Sequence, residues 1–129
     1  MKKIVEVVNA PKAIGPYSAA IETDNFIFTS GQLGIDPQSG ELVFGGIEEE
    51  THQALRNLSE VLKAAGSELD LVVKTTVFLK DISQFQLMNS IYALYFSEKP
   101  PARSAFQVAA LPKNASVEIE AVALKHSRA

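Results

Sequence analysis

The chain has 129 residues, of which 47% are hydrophobic and 21% charged, and this composition predicts one globular domain, residues 1–129, with a single core. The formal net charge of -3 argues against a surface that neutralises phosphates, so we expect small molecules or proteins as partners and no nucleic acid. With 0 cysteines, the sequence excludes a disulfide framework, a thiolate zinc site and a cysteine nucleophile, and it permits a cytoplasmic location.

The N-terminal residues do not resemble a targeting segment. Two lysines precede an apolar run that Glu6 interrupts, and the run is too short for a signal-peptide core or a membrane helix. We therefore predict a soluble, cytoplasmic protein that does not enter a membrane.

The first predicted elements are a β-hairpin and a loop. Residues 17–21 and 26–30 are apolar runs on either side of the turn-forming residues 23–25, which is typical of a hairpin. Residues 34–42 are polar and include a proline and a glycine, so they predict a loop or tight turn between short extended pieces.

A helical pattern begins at Ile47. Acidic residues fill its first turn and Gly66 follows its last periodic residue, as expected at the two ends of a helix. The predicted buried face consists of Ile47, Ala54, Leu55, Leu58, Val61, Leu62 and Ala65.

The second half of the chain predicts strand, helix, strand, turn and strand. In residues 69–81, the alternation puts Val73, Thr75, Val77 and Leu79 on one side of a strand and Val72, Lys74, Thr76 and Phe78 on the other. Asp81 and Gln84 form a capping-box pattern for a second helix, whose apolar positions are Phe85, Met88, Tyr92 and Phe96. Pro100 and Pro101 end that helix. The order predicts an α+β fold: a two-layer sandwich of one mixed β-sheet with two helices on one face.

Three charged residues fall within the last two predicted strands. Arg103 shares a side with Ala105 and Gln107, whereas Glu118 and Glu120 share a side with Val122 and Leu124. We expect the apolar alternates to meet the helices, which leaves Arg103 and both glutamates on the uncovered face. That face also carries apolar residues that a monomer would expose.

A simple hairpin of these two strands would not pair Arg103 with Glu118. The two residues would lie about six positions apart, roughly 20 Å along a strand. Either the strands are not neighbours, or the partner of each charge comes from another copy of the chain. The half-apolar open face favours an oligomer with a site at the subunit boundary.

Two interpretations of these charges remain open from the pattern alone. Surface or interface ion pairs are the more common explanation of such residues. The alternative is that Arg103, beside the rigid prolines, offers a bidentate fork to a small carboxylate or phosphate. A nearby glutamate would then be the only plausible general base.

Other candidate residues have weaker patterns. The hydroxyl of Ser30 and the N–H of Gly31 lie at a strand end and can hold a carboxylate, and Tyr17 can donate a phenol hydrogen bond. His52 is expected to be solvated and His126 lies in the tail, and neither has a companion at ligand spacing. We therefore predict no metal site.

Four segments, residues 14–20, 28–42, 72–85 and 101–124, resemble the Rid family, also called YjgF, and within it the RidA-type imine deaminases. The most specific blocks are Pro-Ala-Arg-Ser at 101–104 and Val-Glu-Ile at 117–119. The resemblance implies a chorismate-mutase-like fold and homotrimers with clefts between subunits. It also implies a 2-iminobutanoate/2-iminopropanoate deaminase, which hydrolyses 2-imino acids and their enamine tautomers, such as 2-aminoacrylate and 2-aminocrotonate, to 2-keto acids and ammonia without a cofactor.

The resemblance also assigns residues. Arg103 would grip the substrate carboxylate and Glu118 would position or activate the attacking water, with Glu120 as a structural neighbour. The positions that match the family's cleft are Tyr17, Ser30, Gly31 and Asn89. Many members have cysteine at the position of Ala105; because that position contributes through its backbone, we expect activity without it.

Two other functions stay open at this point. The first is a binding or regulatory module for 2-keto acids or related carboxylates, since relatives do not all catalyse deamination. The second is RNA cleavage or a chaperone-like activity, and the acidic pI near 5.4 and the lack of a histidine constellation argue against a ribonuclease.

Overall fold

The computed structural model describes residues 1–126 as a mixed sheet with two helices packed on one face. Its strands are β1 (Lys3–Ile4), β2 (Ala20–Glu22), β3 (Phe26–Thr29), β4 (Gln32–Leu33), β5 (Val72–Leu79), β6 (Ala102–Gln107) and β7 (Val117–Leu124). The helices are α1 (Ile47–Ala64) and α2 (Phe85–Tyr95). The predicted α+β sandwich is therefore confirmed.

The order of the strands is β1-β2-β3-β7-β5-β6, and β4 also pairs with β7. All neighbours are antiparallel except β5 and β6, which are parallel because α2 connects them as a crossover. As a result β5 lies between β6 and β7, and β6 is an edge strand. The first of the two predicted alternatives is thus confirmed: the strands of Arg103 and Glu118 are not neighbours.

The core lies between α1 and the sheet. All seven residues predicted for the buried face of α1 are buried, and the helix ends before Gly66, which has a positive φ of 79°. The alternate residues of β7 complete this core from the sheet side: Val117, Ile119, Ala121 and Ala123.

The start of β5 differs from the predicted alternation. A β-bulge between Val72 and Lys74 puts one extra residue into the strand, so Val72 is buried and Val73 is exposed. The prediction that Val73 shares the side of Thr75 was therefore wrong. Strict alternation could not reveal the bulge, because both residues are valines.

The chain turns into α2 through a short 3-10 helix, Ile82–Gln84. Asp81 caps this turn by accepting hydrogen bonds from the hydroxyl and the N–H of Ser83, and these bonds, the one from the hydroxyl first, lower the pKa of its carboxyl. Asp81 is therefore a cap, but of this 3-10 turn; the N-cap of α2 is Gln84, which makes no side-chain cap hydrogen bond, so the predicted capping box of α2 was wrong.

Candidate functional site

Arg103 lies on the face of the sheet that the helices cover. It stands opposite the fully buried Thr75, and its Nη1 donates a 2.8 Å hydrogen bond to Oδ1 of Asn89 on α2. Its guanidinium carbon lies 4.7 Å from the ring centre of Tyr92 and 5.2 Å from that of Phe85. The prediction that Arg103 shares the open face with the glutamates was wrong. At this edge strand, α2 supplies aromatic rings against which a guanidinium stacks favourably.

The ring of Tyr92 is itself held in place. Its hydroxyl and the hydroxyl of Thr75 are 2.8 Å apart in the buried layer between helix and sheet. Burial raises the pKa of Tyr92, while the Thr75 hydrogen bond and the charge of Arg103 oppose the shift. The phenol is therefore neutral and acts as a fixed surface beneath the cation.

We call the open groove beside this arginine the Arg103 groove. Its volume is about 370 Å³, and its lining consists of Asn89, Tyr92, Ala93, Phe96, Pro100, Pro101 and Arg103. Asn89 accepts from only one guanidinium nitrogen, and a guanidinium has five N–H donors. Ala105 lies on the same side of β6 and packs against the hydrophobic core. The groove can thus accept a small anion.

Glu118 lies on the opposite face of the sheet. Its neighbours in β7, Val117 and Ile119, are fully buried beneath the helices, so the side chain of Glu118 points to the uncovered side, as predicted. Partial burial raises the pKa of its carboxyl, and the nearby charge of Glu120 raises it further. Such a carboxyl can exchange protons closer to neutral pH than an ordinary glutamate.

We call the pocket around this residue the Glu118 cavity; it has a volume of about 190 Å³. Tyr17, Gly31 and Glu118 line it together with residues of β4 and of the turn at Pro112 and Lys113. A Cβ atom at Gly31 would lie 2.7 Å from Cδ of Glu118, so the glycine permits a close approach of the carboxyl to the backbone. Gly31 is thus required here by space and not by its φ.

The hydroxyl of Ser30 is hydrogen-bonded within the chain. Its Oγ donates a 2.6 Å hydrogen bond to the carbonyl oxygen of Ser18, so its proton is used within the chain. The residue does not line either of the two concave regions described above.

The site residues predicted from the sequence therefore fall into two groups. Asn89, Arg103 and Ala105 lie on the helix side of the sheet, and Tyr17, Gly31 and Glu118 lie at the Glu118 cavity. Because Arg103 and Glu118 point to opposite faces with β5 between their strands, one chain alone does not bring them together.

The uncovered face carries a set of exposed aromatic and aliphatic side chains. Four of them are between 39% and 46% exposed: Phe26, Phe28, Phe106 and Leu124. This agrees with the half-apolar open face that the alternation predicted.

The histidines are not part of either region. Nδ1 of the half-buried His52 lies 2.8 Å from the hydroxyl of Tyr95, so the prediction that His52 is solvated was wrong. His126 lies 3.0 Å from a carboxylate oxygen of Glu68. Within residues 1–126 no three His, Asp or Glu side chains cluster as metal ligands do, and neither helix is long and apolar enough to cross a bilayer.

Phe85 and Tyr92 were not predicted as site residues, because both fit the apolar stripe of an amphipathic helix. The sequence feature that indicates their role is the polar residue Asn89. It follows Phe85 by four positions and precedes Tyr92 by three, so all three residues lie on one face of α2. A polar residue within an apolar stripe indicates that the stripe also meets a polar partner.

Known proteins are similar to this chain in both sequence and structure. A profile of the family described as Endoribonuclease L-PSP matches residues 7–125. The chain is 54% identical over 125 residues to proteins of Mus musculus and Homo sapiens named 2-iminobutanoate/2-iminopropanoate deaminase, covering 97% of this chain and 93% and 91% of theirs. It also superimposes on E. coli TdcF with bound serine, with a TM-score of 0.91 and 37% identity over 96% of this chain and 99% of that one. The chain therefore belongs to the Endoribonuclease L-PSP family, which is the YjgF/Rid family.

Proposed function

We propose that this protein is a 2-iminobutanoate/2-iminopropanoate deaminase, which hydrolyses reactive 2-imino acids and their enamine tautomers to 2-keto acids and ammonia. The observation that carries this proposal is the 54% identity, over 97% of the chain, to mouse and human proteins of that name. The serine bound to E. coli TdcF supports a small α-carboxylate as ligand.

In this proposal Arg103 binds the substrate carboxylate. Asn89 and the rings of Phe85 and Tyr92 hold the guanidinium, and the N–H donors that Asn89 does not use can form a bidentate pair with a carboxylate. Orientation of this kind contributes a large share of catalysis when the substrate is already a reactive electrophile.

Glu118 would transfer the proton in the same proposal. A water molecule attacks C2 of the imine as the carboxylate takes one of its protons, and the nitrogen is protonated, which gives a carbinolamine. Glu118 then takes the carbinolamine hydroxyl proton and delivers it to the amine nitrogen, so the C2–N bond breaks as the C2=O bond forms, and ammonia and the 2-keto acid leave. The raised pKa of Glu118 supports this role, because the carboxyl holds a proton more readily than an ordinary glutamate does. No cofactor is needed in this scheme.

We also propose that the active unit is a homotrimer with sites between subunits. The Arg103 groove of one copy would face the Glu118 cavity of the next, with Tyr17 and Gly31 at its border; Ser30 directly precedes Gly31 in the chain, and Ala105 follows Arg103 by two residues. Two observations support this assembly: the two charged groups point to opposite faces, and the uncovered face carries exposed apolar side chains. Light scattering on the purified protein measures the mass of the assembly, and a mass three times the 14.0 kDa of the chain would support a homotrimer.

A cytoplasmic location belongs to the same proposal. Dehydratases that act on serine or threonine release imines of this class, which react with water and nucleophiles, so the enzyme must share a compartment with such a dehydratase. Fractionation of cells, with this protein and the dehydratase detected together, tests the location.

The first experiment measures keto-acid release while a threonine or serine dehydratase runs with and without this protein. We expect acceleration by the wild type, and a loss of about a hundredfold in kcat/KM for Arg103→Ala, because two charge-assisted hydrogen bonds disappear. Arg56→Ala, which removes an exposed arginine of α1, is the matched control and should keep full activity.

Other outcomes would redirect the proposal. A folded oligomer that binds small carboxylates through Arg103 without turnover is the binding module left open by the sequence. Full activity of Arg103→Ala would exclude the assigned anchor.

A further inference from the structure

Two backbone segments, residues 31–35 and the turn at residues 112–113, line the Glu118 cavity. Helix α1 holds both of them through buried polar side chains. Glu50, which is 6% exposed, accepts a 2.8 Å hydrogen bond from the Ser116 N–H at its Oε1. Asn57, which is 1% exposed, donates from Nδ2 to the carbonyl oxygens of Leu33, at 3.1 Å, and Ile35, at 2.8 Å.

Glu50 contacts the first segment as well as the second. A Cβ atom at Gly34 would lie 2.5 Å from Cα of Glu50, so the backbone of this segment passes directly over the helix at that residue. A buried carboxylate is unfavourable unless hydrogen bonds compensate its desolvation, and the Ser116 N–H supplies one. The position therefore joins both walls of the cavity to one helix.

The turn before Ser116 is a strained one. Lys113 and Asn114 both have a φ of 57°, a left-handed conformation that residues with a Cβ adopt at a cost. The surrounding hydrogen bonds hold it: Asn114 N–H to the Leu111 carbonyl, Ala115 N–H to the Pro112 carbonyl, and Lys80 N–H to the Ser116 carbonyl. The bond to Glu50 is the one that ties this turn to α1.

Ser116 is only two residues before Glu118 on the same extended chain. The Glu50 bond therefore holds the chain just before β7 begins, and it adds to the ladders that pair Glu118 with Phe78 and Leu33. We propose that Glu50 is a positioning residue, which sets the place of Glu118 by holding the Ser116 N–H; this inference rests on the proposed deaminase function.

The test uses three variants of the full-length protein. Glu50→Met fills a similar volume but removes the acceptor, and Glu50→Gln removes the charge but keeps an amide oxygen at the same place. We expect Glu50→Met to lower kcat about tenfold with KM changed less than twofold, because the proton-transfer group is misplaced while the carboxylate anchor is intact. Glu50→Gln should keep the wild-type kcat. Glu48→Ala removes an exposed carboxylate from the same helical turn and is the matched control.

Hydrogen exchange of the Ser116 amide gives a readout that does not depend on turnover. Its protection should be lost in Glu50→Met and kept in Glu50→Gln. Wild-type kcat in a folded Glu50→Met protein, or an equal loss in Glu50→Gln, overturns the inference. If the wild type itself has no deaminase activity, the proposed function fails, and the amide protection still reports whether Glu50 holds the turn.

Discussion

The Arg103 groove and the Glu118 cavity differ in how they are built. Arg103 is fixed by contacts with large side chains of α2, and its charge is balanced by rings and one amide. Glu118 is fixed by the backbone, in a space that only a glycine leaves open, and its burial favours the neutral form. In the proposed reaction one region binds an anion and the other transfers a proton, so both would be needed for hydrolysis.

Mixing two inactive variants tests this division with the largest expected effect. Arg103→Ala and Glu118→Gln should each lose about a hundredfold or more in kcat/KM. If sites form between subunits, unfolding and refolding an equal mixture should restore about a quarter of the sites, because an intact Arg103 then meets an intact Glu118 of a neighbour.

The coupled keto-acid assay measures this recovery. Each variant refolded alone is the control and should stay inactive. No recovery in a mixture that has demonstrably exchanged subunits would mean that both groups act within one chain.

Two glycine substitutions test how the Glu118 cavity is built, and we expect smaller effects than in the mixing experiment. Gly31→Ala places a methyl group against the flexible Glu118 side chain, so we expect kcat to fall about tenfold with little change in melting temperature. Gly34→Ala places it against the backbone of Glu50, which cannot move aside, so it should destabilise the fold by about 1–3 kcal/mol. Turnover and thermal unfolding of both variants separate the two effects. Equal stability losses would contradict the assignment of Gly31 to the site.

The pH dependence of stability gives the smallest expected effect. Partial burial in the folded protein, and then the charge of Glu120, raise the pKa of Glu118 above its ordinary value of 4.5, so folding favours the neutral carboxyl. This contribution to stability is fully present below the unfolded pKa and is lost as the pH rises through the folded pKa. Glu118→Gln should therefore melt slightly higher than the wild type at about pH 8 and equally at about pH 3.5. A wild type more stable than the variant at the higher pH would contradict the burial argument.

Much of this fold is encoded in short-range patterns. The buried face of α1 follows from spacing alone, because its apolar residues have no alternative face, and Asp81 is found at the cap because its side chain meets a free N–H there. The side that each residue of β6 and β7 shares with its neighbours was also predicted correctly, since it depends only on alternation.

The orientation of β6 could not be predicted in the same way. Both of its sides carry small or apolar residues, so the alternation does not show which side meets the helices. Burial of the larger apolar residue predicted that Phe106 points to the helices and Arg103 away from them. The observed orientation depends on Phe85 and Tyr92, whose rings meet the guanidinium only because the fold packs α2 beside β6. Glu50 escaped prediction for a similar reason: its partner is the backbone N–H of Ser116, 66 positions away.

The opposite orientation of Arg103 and Glu118 has a consequence for how such a protein responds to dilution. If a working site needs one group from each of two copies, activity per chain is no longer constant, because it falls by mass action once the concentration approaches the dissociation constant of the assembly. The protein would then have little activity at concentrations well below that dissociation constant and full activity well above it, without any effector.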